Sequence, residues 1–251
     1  MSGVTPAPAL VTIDGLRFRW PRTRDDVLSI RYFELRAGET VFLSGASGSG
    51  KSTFLSLVAG VLTATEGTVC LDGQDWRILS PAARDRRRAD HIGYIFQQFN
   101  LLPYLSVLEN ALLPCRFSPL RRQRAAESQE APDHPQRRAA ERLLRQFDLG
   151  AALWDRPATA LSVGQQQRVA AARALIGAPA LIVADEPTSA LDEALRESFM
   201  QVLMQACSEA GSALLFVSHD ARLASRFGRS VDLATLNRSA SAATAPVEAT
   251  A

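Results

Sequence analysis

The chain has 251 residues, of which 47% are hydrophobic and 22% are charged, and its formal net charge is +2. This composition is that of a globular protein with a core, and so small a charge does not predict a nucleic-acid partner. No apolar run of about 18 residues predicts a membrane span, and the first residues lack the pattern of a secretory signal. The three cysteines have no metal-binding spacing, so we expect free thiols.

The first half of the chain alternates short apolar strands with helices. Apolar runs between glycines and turns predict strands at residues 11–20, 31–35, 40–45, 67–73 and 91–97. Two helices are predicted between them, at residues 51–60 and 81–89.

The stretch GASGSGKST follows one of these strands and opens a helix. It fits the pattern G-x-x-x-x-G-K-[ST], in which glycines let backbone N–H groups surround phosphates and the helix N-terminus adds partial positive charge. We expect Lys51 to reach the β- and γ-phosphates and the Ser52 hydroxyl to bind Mg²⁺. The predicted nucleotide-binding residues of this loop are Gly45, Ala46, Ser47, Gly48, Ser49, Gly50, Lys51, Ser52 and Thr53.

The middle of the chain has a different composition. Residues 116–136 are rich in arginine and broken by three prolines, which predicts an exposed helix tip or loop. Acidic residues interleave with the arginines, so we expect these side chains to be solvated rather than to form a binding patch. Residues 139–149 have an amphipathic helical pattern.

The second half returns to alternating elements. A helix is predicted at residues 164–176, a buried strand at 181–185, a long helix, and another buried strand at 213–220. Such alternation predicts a largely parallel sheet, into which residues 116–161 form a helical insertion. The tail, residues 239–251, has low complexity, and we expect it to be disordered.

Two acids end the strand LIVAD and begin the following turn. Beside a phosphate loop, Asp185 is expected to hold Mg²⁺ through water. Glu186 is adjacent and points differently, so its carboxylate can orient a water for attack on the γ-phosphate.

Six motifs in fixed order make the chain resemble the ATP-binding subunit of an ABC transporter over residues 10–235. GASGSGKST resembles the Walker A loop, and LIVADEP resembles Walker B with Glu186 as the catalytic glutamate. Gln97 resembles the Q-loop glutamine, and His219 resembles the switch histidine. LSVGQ (residues 161–165) resembles the signature LSGGQ, and SALD (residues 189–192) resembles the D-loop.

The resemblance implies an α/β fold: a P-loop NTPase core with a mostly parallel sheet, an antiparallel β subdomain and an inserted α-helical subdomain at about residues 98–162. It implies one ATP-binding domain, residues 1–238, followed by the tail. The expected reaction is hydrolysis of ATP with Mg²⁺, and no nucleic acid takes part. The catalytic residues it implies are Glu186, His219 and Gln97, and the metal-site residues are Ser52, Gln97 and Asp185, the last through water.

In this family two copies form a head-to-tail homodimer, in which each ATP lies between the phosphate loop of one copy and the signature turn of the other. The resemblance therefore adds Ser162, Gly164 and Gln165 to the nucleotide-binding residues. Val163 departs from the signature, which usually has glycine there. We expect Val163 to keep a negative φ and to point away from the nucleotide.

The resemblance also implies a platform for adenine and a membrane partner. Trp20 is the expected platform, with Phe18 as the lesser candidate, since an aromatic face can stack on a purine. The Q-loop neighbourhood, residues 99–105, is apolar and is expected to meet an integral membrane permease.

Residues 92–114 are similar to the lipoprotein-release and macrolide-export branch of the family. The branch implies a peripheral protein on the cytoplasmic face of the inner membrane, which drives export or extraction of a lipoprotein, peptide or drug-like substrate. Three alternatives remain open: a non-transport ABC ATPase that regulates a membrane partner, as in cell division, a soluble ABC protein acting on DNA or ribosomes, and a P-loop kinase.

Overall fold

The computed structural model describes residues 8–127 and 133–238, whose strands form two sheets. One sheet has the order β6-β7-β8-β3-β9 with every neighbouring pair parallel, and the other has the antiparallel order β2-β1-β4-β5. The strands are β1 (Ala9–Phe18), β2 (Leu28–Arg36), β3 (Thr40–Ser44), β4 (Glu66–Leu71), β5 (Gln74–Asp75), β6 (Ile92–Ile95), β7 (Leu181–Asp185), β8 (Ala213–Val217) and β9 (Arg229–Asp232).

The helices flank the sheets, and three of them follow one another between β6 and the helix that precedes β7. They are α1 (Lys51–Val58), α2 (Pro81–His91), α3 (Val107–Phe117), α4 (Pro119–Glu127), α5 (Pro135–Gln146), α6 (Val163–Leu175), α7 (Glu193–Ala210) and α8 (Leu233–Leu236). Together α3, α4 and α5 pack on one another, and α3 and α5 also pack on α6. The predicted fold class, with a parallel sheet, an antiparallel sheet and inserted helices, is confirmed.

The parallel sheet is buried on both faces, because its strands alternate between two apolar clusters. Val41 and Leu43 of β3 pack with the antiparallel sheet and α1, whereas Phe42 between them packs with α3, α5, α6 and α7. Successive side chains of a strand point to opposite faces. Strands covered on both faces read as continuous apolar runs, which is why TVFL, LIVA and ALLFV carry no polar alternation.

The parallel arrangement decides where the chemistry-bearing residues lie. All five strands have their carboxyl ends at one edge of the sheet. The glycine loop follows β3 directly, Glu186 follows β7, and Gln97 and His219 lie two residues beyond β6 and β8. In open parallel sheets ligands bind in the crevice at this edge.

The prediction of an exposed helix tip or loop with solvated arginines at residues 116–136 is wrong for Arg121, which lies in α4. A proline at the first helical position does not break a helix, since its missing N–H has no partner there anyway, and Pro119 opens α4 while the Ser118 hydroxyl accepts from the N–H of Arg121. Arg121 is only 2% exposed and donates to backbone carbonyls, among them Ala174 at 2.6 Å and Ile176 at 2.7 Å. Its charge is therefore buried and hydrogen-bonded rather than solvated.

Other boundaries differ by a few residues. The first strand covers Ala9–Phe18 instead of residues 11–20, which leaves Trp20 beyond its end. The proposed disorder of residues 239–251 lies outside the described residues, as do residues 128–132 of the middle segment. Among the described residues, no helix is both long enough and apolar enough to cross a membrane.

Candidate active site

The helix that follows the glycine loop between β3 and α1 has no side-chain cap, which leaves N–H donors at its N-terminus for a ligand. The residue that precedes α1 is Gly50, with φ 95°, and no side chain caps this helix. Gly45 and Gly48 also have positive φ values, 156° and 76°. A Cβ atom on Gly45 would lie 2.8 Å from the Ser49 hydroxyl, and one on Gly50 would lie 3.0 Å from Leu28. Glycine is therefore required for this turn, which forms a concave cradle typical of phosphate sites.

Cationic and hydroxyl groups complete the cradle. The Lys51 ammonium donates to the carbonyls of Gly45 at 2.8 Å and Ala46 at 3.0 Å, so it lies along the loop. The Ser49 hydroxyl is buried and has no hydrogen-bond partner among the described residues. Free N–H groups, a cation and an unpartnered hydroxyl together fit the phosphates of a nucleotide.

An open cavity of about 550 Å³ lies against this loop. It collects residues from the ends of β3, β6, β7 and β8, together with the segment after β1. The residues that line it are Trp20, Val27, Ser47, Gly48, Gly50, Lys51, Ser52, Thr53, Gln97, Asp185, Glu186 and His219. Twelve residues from segments that are distant in sequence thus meet around one space, and eleven of these residues were predicted as site residues.

The two acids differ in their surroundings. Burial raises the pKa of the Asp185 carboxyl above its usual range, and the neighbouring Glu186 carboxylate raises it further, whereas Lys51 and the Ser52 hydroxyl lower it. Mg²⁺ in nucleotide sites uses one or two carboxylates in addition to the phosphates. The oxygens of Asp185, Ser52 and Gln97 line the same cavity, so this set of donors fits that ion.

Glu186 and His219 form a pair at the cavity. Nδ1 of His219 lies 2.7 Å from Oε2 of Glu186. The backbone of Glu186 has φ 47° and its N–H donates to the Val217 carbonyl at 3.0 Å, which turns its side chain away from the strand direction that Asp185 follows. A carboxylate held by an imidazole beside bound phosphates can orient a water molecule.

The two aromatic residues at and just beyond the end of β1, Phe18 and Trp20, differ in their exposure to solvent. Phe18 is buried in the core, whereas Trp20 is 43% exposed and lines the cavity. The two rings meet edge to face with centroids 5.1 Å apart, so Phe18 supports the indole from below. Trp20 is the ring available to a base.

The signature turn lies elsewhere. Ser162, Gly164 and Gln165 do not line the cavity. They start α6 with a reciprocal cap, in which the Ser162 hydroxyl accepts from the Gln165 N–H and the Gln165 side chain accepts from the Ser162 N–H. Val163 is the first residue of α6 and has an exposed side chain, so the negative φ expected for it is observed.

Two residues near the site were not predicted. Val27 forms part of the cavity wall at the start of β2, and no sequence signal marks it. Arg173, 8% exposed, donates to the Phe99 and Asn100 carbonyls. An arginine among the buried alanines of α6 was a usable signal, because a buried charge needs hydrogen-bond partners.

Comparisons with known proteins point to one family. The family model described as ABC transporter matches residues 29–189. The lipoprotein-releasing system ATP-binding protein LolD of Hydrogenovibrio crunogenus is 41% identical over 201 residues, which are 80% of this chain and 82% of that protein. A probable export ATP-binding/permease protein, MacB of Pseudomonas entomophila, is 36% identical over 200 residues, but these make up only 28% of its length.

A solved structure matches most of the chain. It is the dimeric post-hydrolysis state of the ATP-binding cassette MJ0796 bound to ADP and Pi, from a protein of Methanocaldococcus jannaschii. The TM-score is 0.76 at 33% identity, over 92% of this chain and 95% of that one. The resemblance drawn from the six motifs is confirmed, and this chain belongs to the ABC transporter family as one of its ATP-binding cassettes.

Proposed function

We propose that this ATPase acts as a head-to-tail homodimer, in which each ATP is bound by the phosphate loop of one copy and the signature turn of the other. One observation carries the proposal: Ser162, Gly164 and Gln165 stand at an exposed helix N-terminus that does not line the cavity of its own chain. A helix N-terminus attracts anions, and only a second copy brings this one to a nucleotide. The dimeric state of the MJ0796 cassette with ADP and Pi supports this arrangement.

The residues that line the cavity account for the binding of ATP. Trp20 stacks on the base, the free N–H groups of the loop donate to phosphate oxygens, and the Lys51 ammonium moves from the loop carbonyls to the β- and γ-phosphates. Mg²⁺ held near Ser52, Gln97 and Asp185 neutralises phosphate charge when it is bound.

Hydrolysis is assigned to the pair at the end of β7 and β8. The Glu186 carboxylate orients a water whose oxygen attacks the γ-phosphorus, and the bond to the ADP oxygen breaks. His219 holds that carboxylate at 2.7 Å and contacts the γ-phosphate. When the γ-phosphate leaves, contacts across the dimer are lost and the two copies separate.

The surface that meets a permease is proposed to be an apolar cleft between α2, β6 and the end of α3. This cleft, about 650 Å³, is lined by Val61, Tyr94, Phe96 and Phe117 and bordered by Arg86. Phe117 is 69% exposed, and exposed apolar patches of this kind mark interaction sites. A partner segment with apolar side chains and an acidic residue fits it.

Residues 99–105 are not all accessible to a partner, so the expectation that this whole segment contacts the permease needs to be narrowed. Phe99 is packed in the core, whereas Tyr104 is 76% exposed. The exposed tyrosine can contribute to the same face, and the cleft supplies the rest of the contact. Similarity to LolD and MacB supports a permease of the lipoprotein-release or macrolide-export kind, a peripheral position on the cytoplasmic face of the inner membrane, and a lipoprotein, peptide or drug-like substrate.

Replacing Glu186 tests the catalytic part. Glu186→Gln is expected to bind ATP as the native protein does, to lose ATPase activity by about 10²–10³-fold, and to accumulate as an ATP-bound dimer. Turnover is measured by phosphate release and mass by light scattering with and without Mg-ATP. Undiminished turnover, or a monomer at saturating ATP, contradicts the proposal.

The partner surface is tested by purification in detergent from the native membrane. Phe117→Asp is expected to abolish co-purification with a membrane protein while the isolated chain keeps its ATPase activity. Ile78→Asp is the matched control, because Ile78 is also highly exposed but does not line the cleft. Equal recovery of the partner with Phe117→Asp and Ile78→Asp contradicts this assignment.

A further inference from the structure

Helix α6 is fastened at its far end to the turn that carries Gln97. Arg173, near the C-terminus of α6, donates from Nη1 to the Asn100 carbonyl at 2.7 Å and from Nη2 to the Phe99 carbonyl at 2.5 Å. The planar guanidinium therefore holds two consecutive carbonyls, a geometry for which its fork of donors is suited. Burial lowers the pKa of Arg173 to about 10, so the side chain remains cationic at neutral pH.

The turn held by Arg173 has two consecutive residues with a left-handed backbone conformation. Phe99 and Asn100 both have left-handed φ values, 59° and 48°, and a residue other than glycine is disfavoured there. The turn is tight: the Phe99 N–H donates to the Phe96 carbonyl and the Asn100 N–H to the Gln98 carbonyl. Gln97, which lines the nucleotide cavity, lies in this turn. A displacement of Gln97 therefore moves the carbonyls that Arg173 holds.

The other end of the same helix is the signature turn. Ser162 precedes α6, and Arg173 lies eleven positions further along the chain, which corresponds to about 16 Å of helix. One rigid element thus joins a turn in the cavity of one nucleotide to a turn assigned to the nucleotide of the second copy.

We propose that Arg173 is a positioning residue that transmits the state of Gln97 to the signature turn of its own chain, and so couples the two nucleotide sites of the dimer. The inference rests on the proposed shared sites. Nucleotide in one cavity draws Gln97 towards the γ-phosphate, Arg173 follows the turn, and α6 presents its N-terminus to the second copy. Arg173 itself touches no nucleotide.

The experiment is a double-mutant cycle on dimer formation in the Glu186→Gln background. Nucleotide affinity of the monomer is measured with a fluorescent ATP analogue, and the dimerisation constant in Mg-ATP by analytical ultracentrifugation. Arg173→Met and Gln97→Ala are each expected to weaken dimerisation at least tenfold, while Arg173→Met leaves monomer affinity within twofold. If Arg173 acts through the Gln97 turn, the double variant is no weaker than the weaker single variant.

Effects that multiply within twofold overturn the inference, because they indicate that Arg173 and Gln97 act independently. Dimerisation of Arg173→Met equal to that of its parent also overturns it. Arg168→Met is the matched control, since Arg168 lies on the same helix but pairs with Asp148 at 3.0 Å; it is expected to dimerise as the parent does.

Two further arms keep the result interpretable. If Arg173→Met does not fold, the cycle is run with Arg173→Lys, which keeps the buried charge with a different donor geometry, and the same non-additivity is required of it. If the Glu186→Gln parent itself stays monomeric in Mg-ATP, the shared-site proposal fails, which is a different result from failure of the Arg173 coupling.

Discussion

Two glycine-containing turns precede helices in this chain. The N-terminus of one helix has no side-chain cap, whereas the N-terminus of the other is capped by its own side chains. The turn before α1 has Gly50 in a left-handed conformation and no side-chain cap, with Lys51 beside it and a cavity in front of it. The turn before α6 is closed by its own side chains through the pair of hydrogen bonds between Ser162 and Gln165. One helix end is open to a ligand, and the other is satisfied within the chain.

The presence or absence of a cap distinguishes the roles proposed for the two turns. An uncapped helix end leaves N–H donors that an anion can satisfy, which is why we propose that the loop before α1 holds the phosphates. The cap on α6 keeps an exposed turn folded in a chain that has no second copy beside it, since such a cap contributes about 1 kcal/mol. Its donors become available to a phosphate only when another molecule approaches.

The largest expected effect comes from the open turn. Lys51→Met removes the cation of the cradle, and we expect ATPase activity to fall by about 10²–10³-fold. The hydrogen bonds of the ammonium within the described residues go to two loop carbonyls, so the free energy of unfolding should change little. Phosphate release and urea unfolding measure the two quantities; an active Lys51→Met variant would contradict the assignment of this loop.

The capped turn gives effects of opposite sign on stability and activity. Gly164→Asp places a carboxylate in the first turn of α6, where a negative charge stabilises a helix by about 0.3–1 kcal/mol. The same charge repels the phosphates of a nucleotide on the second copy, so ATPase activity should fall at least tenfold with nucleotide affinity of the monomer unchanged. Loss of stability together with activity would point to misfolding instead.

Alanine substitutions compare the two glycines directly. Gly50→Ala forces a side chain into a left-handed conformation, which costs about 1–2 kcal/mol, and places its Cβ 3.0 Å from Leu28. At Gly164 a Cβ would lie 3.6 Å from Leu191, an ordinary contact, so Gly164→Ala should stay within about 0.5 kcal/mol of the native protein. Chemical denaturation of both variants measures this difference, and equal stabilities would contradict it.

The smallest effect is expected at the residue where the signature differs from its family. Val163 has a helical backbone and an exposed side chain, so Val163→Gly removes no contact with the cavity. We expect turnover to change less than twofold and stability to change by no more than about 0.5 kcal/mol, because Val163 is exposed and stands at the first position of the helix. A large gain in ATPase rate would show that valine limits the native site.

Much of this account could be predicted from the sequence, because its motifs combine local pattern with fixed spacing. The apolar strands ending in Ser44 and Asp185 were evident, and their parallel pairing brings the predicted residues to one edge of a sheet. Arg121 could not be placed, because acidic neighbours in sequence favoured solvation while the carbonyls that surround it come from β6 and α6. Val27 likewise reaches the cavity only through folding.

The central claim, that each nucleotide site is shared by two copies, is tested most directly by mixing two inactive variants. Lys51→Met lacks a working phosphate loop, and Gly164→Asp lacks a working signature turn. A mixed dimer has one site made of two intact halves, so an equal mixture should regain ATPase activity that neither variant has alone, up to roughly a quarter of the native rate if subunits pair at random. Coupling between the two sites through Arg173 lowers the recovered rate, because the intact signature turn belongs to the copy whose own phosphate loop is disabled. If loop and signature of the same chain formed each site, the mixture would show no more activity than the separate variants, and this result would contradict the account.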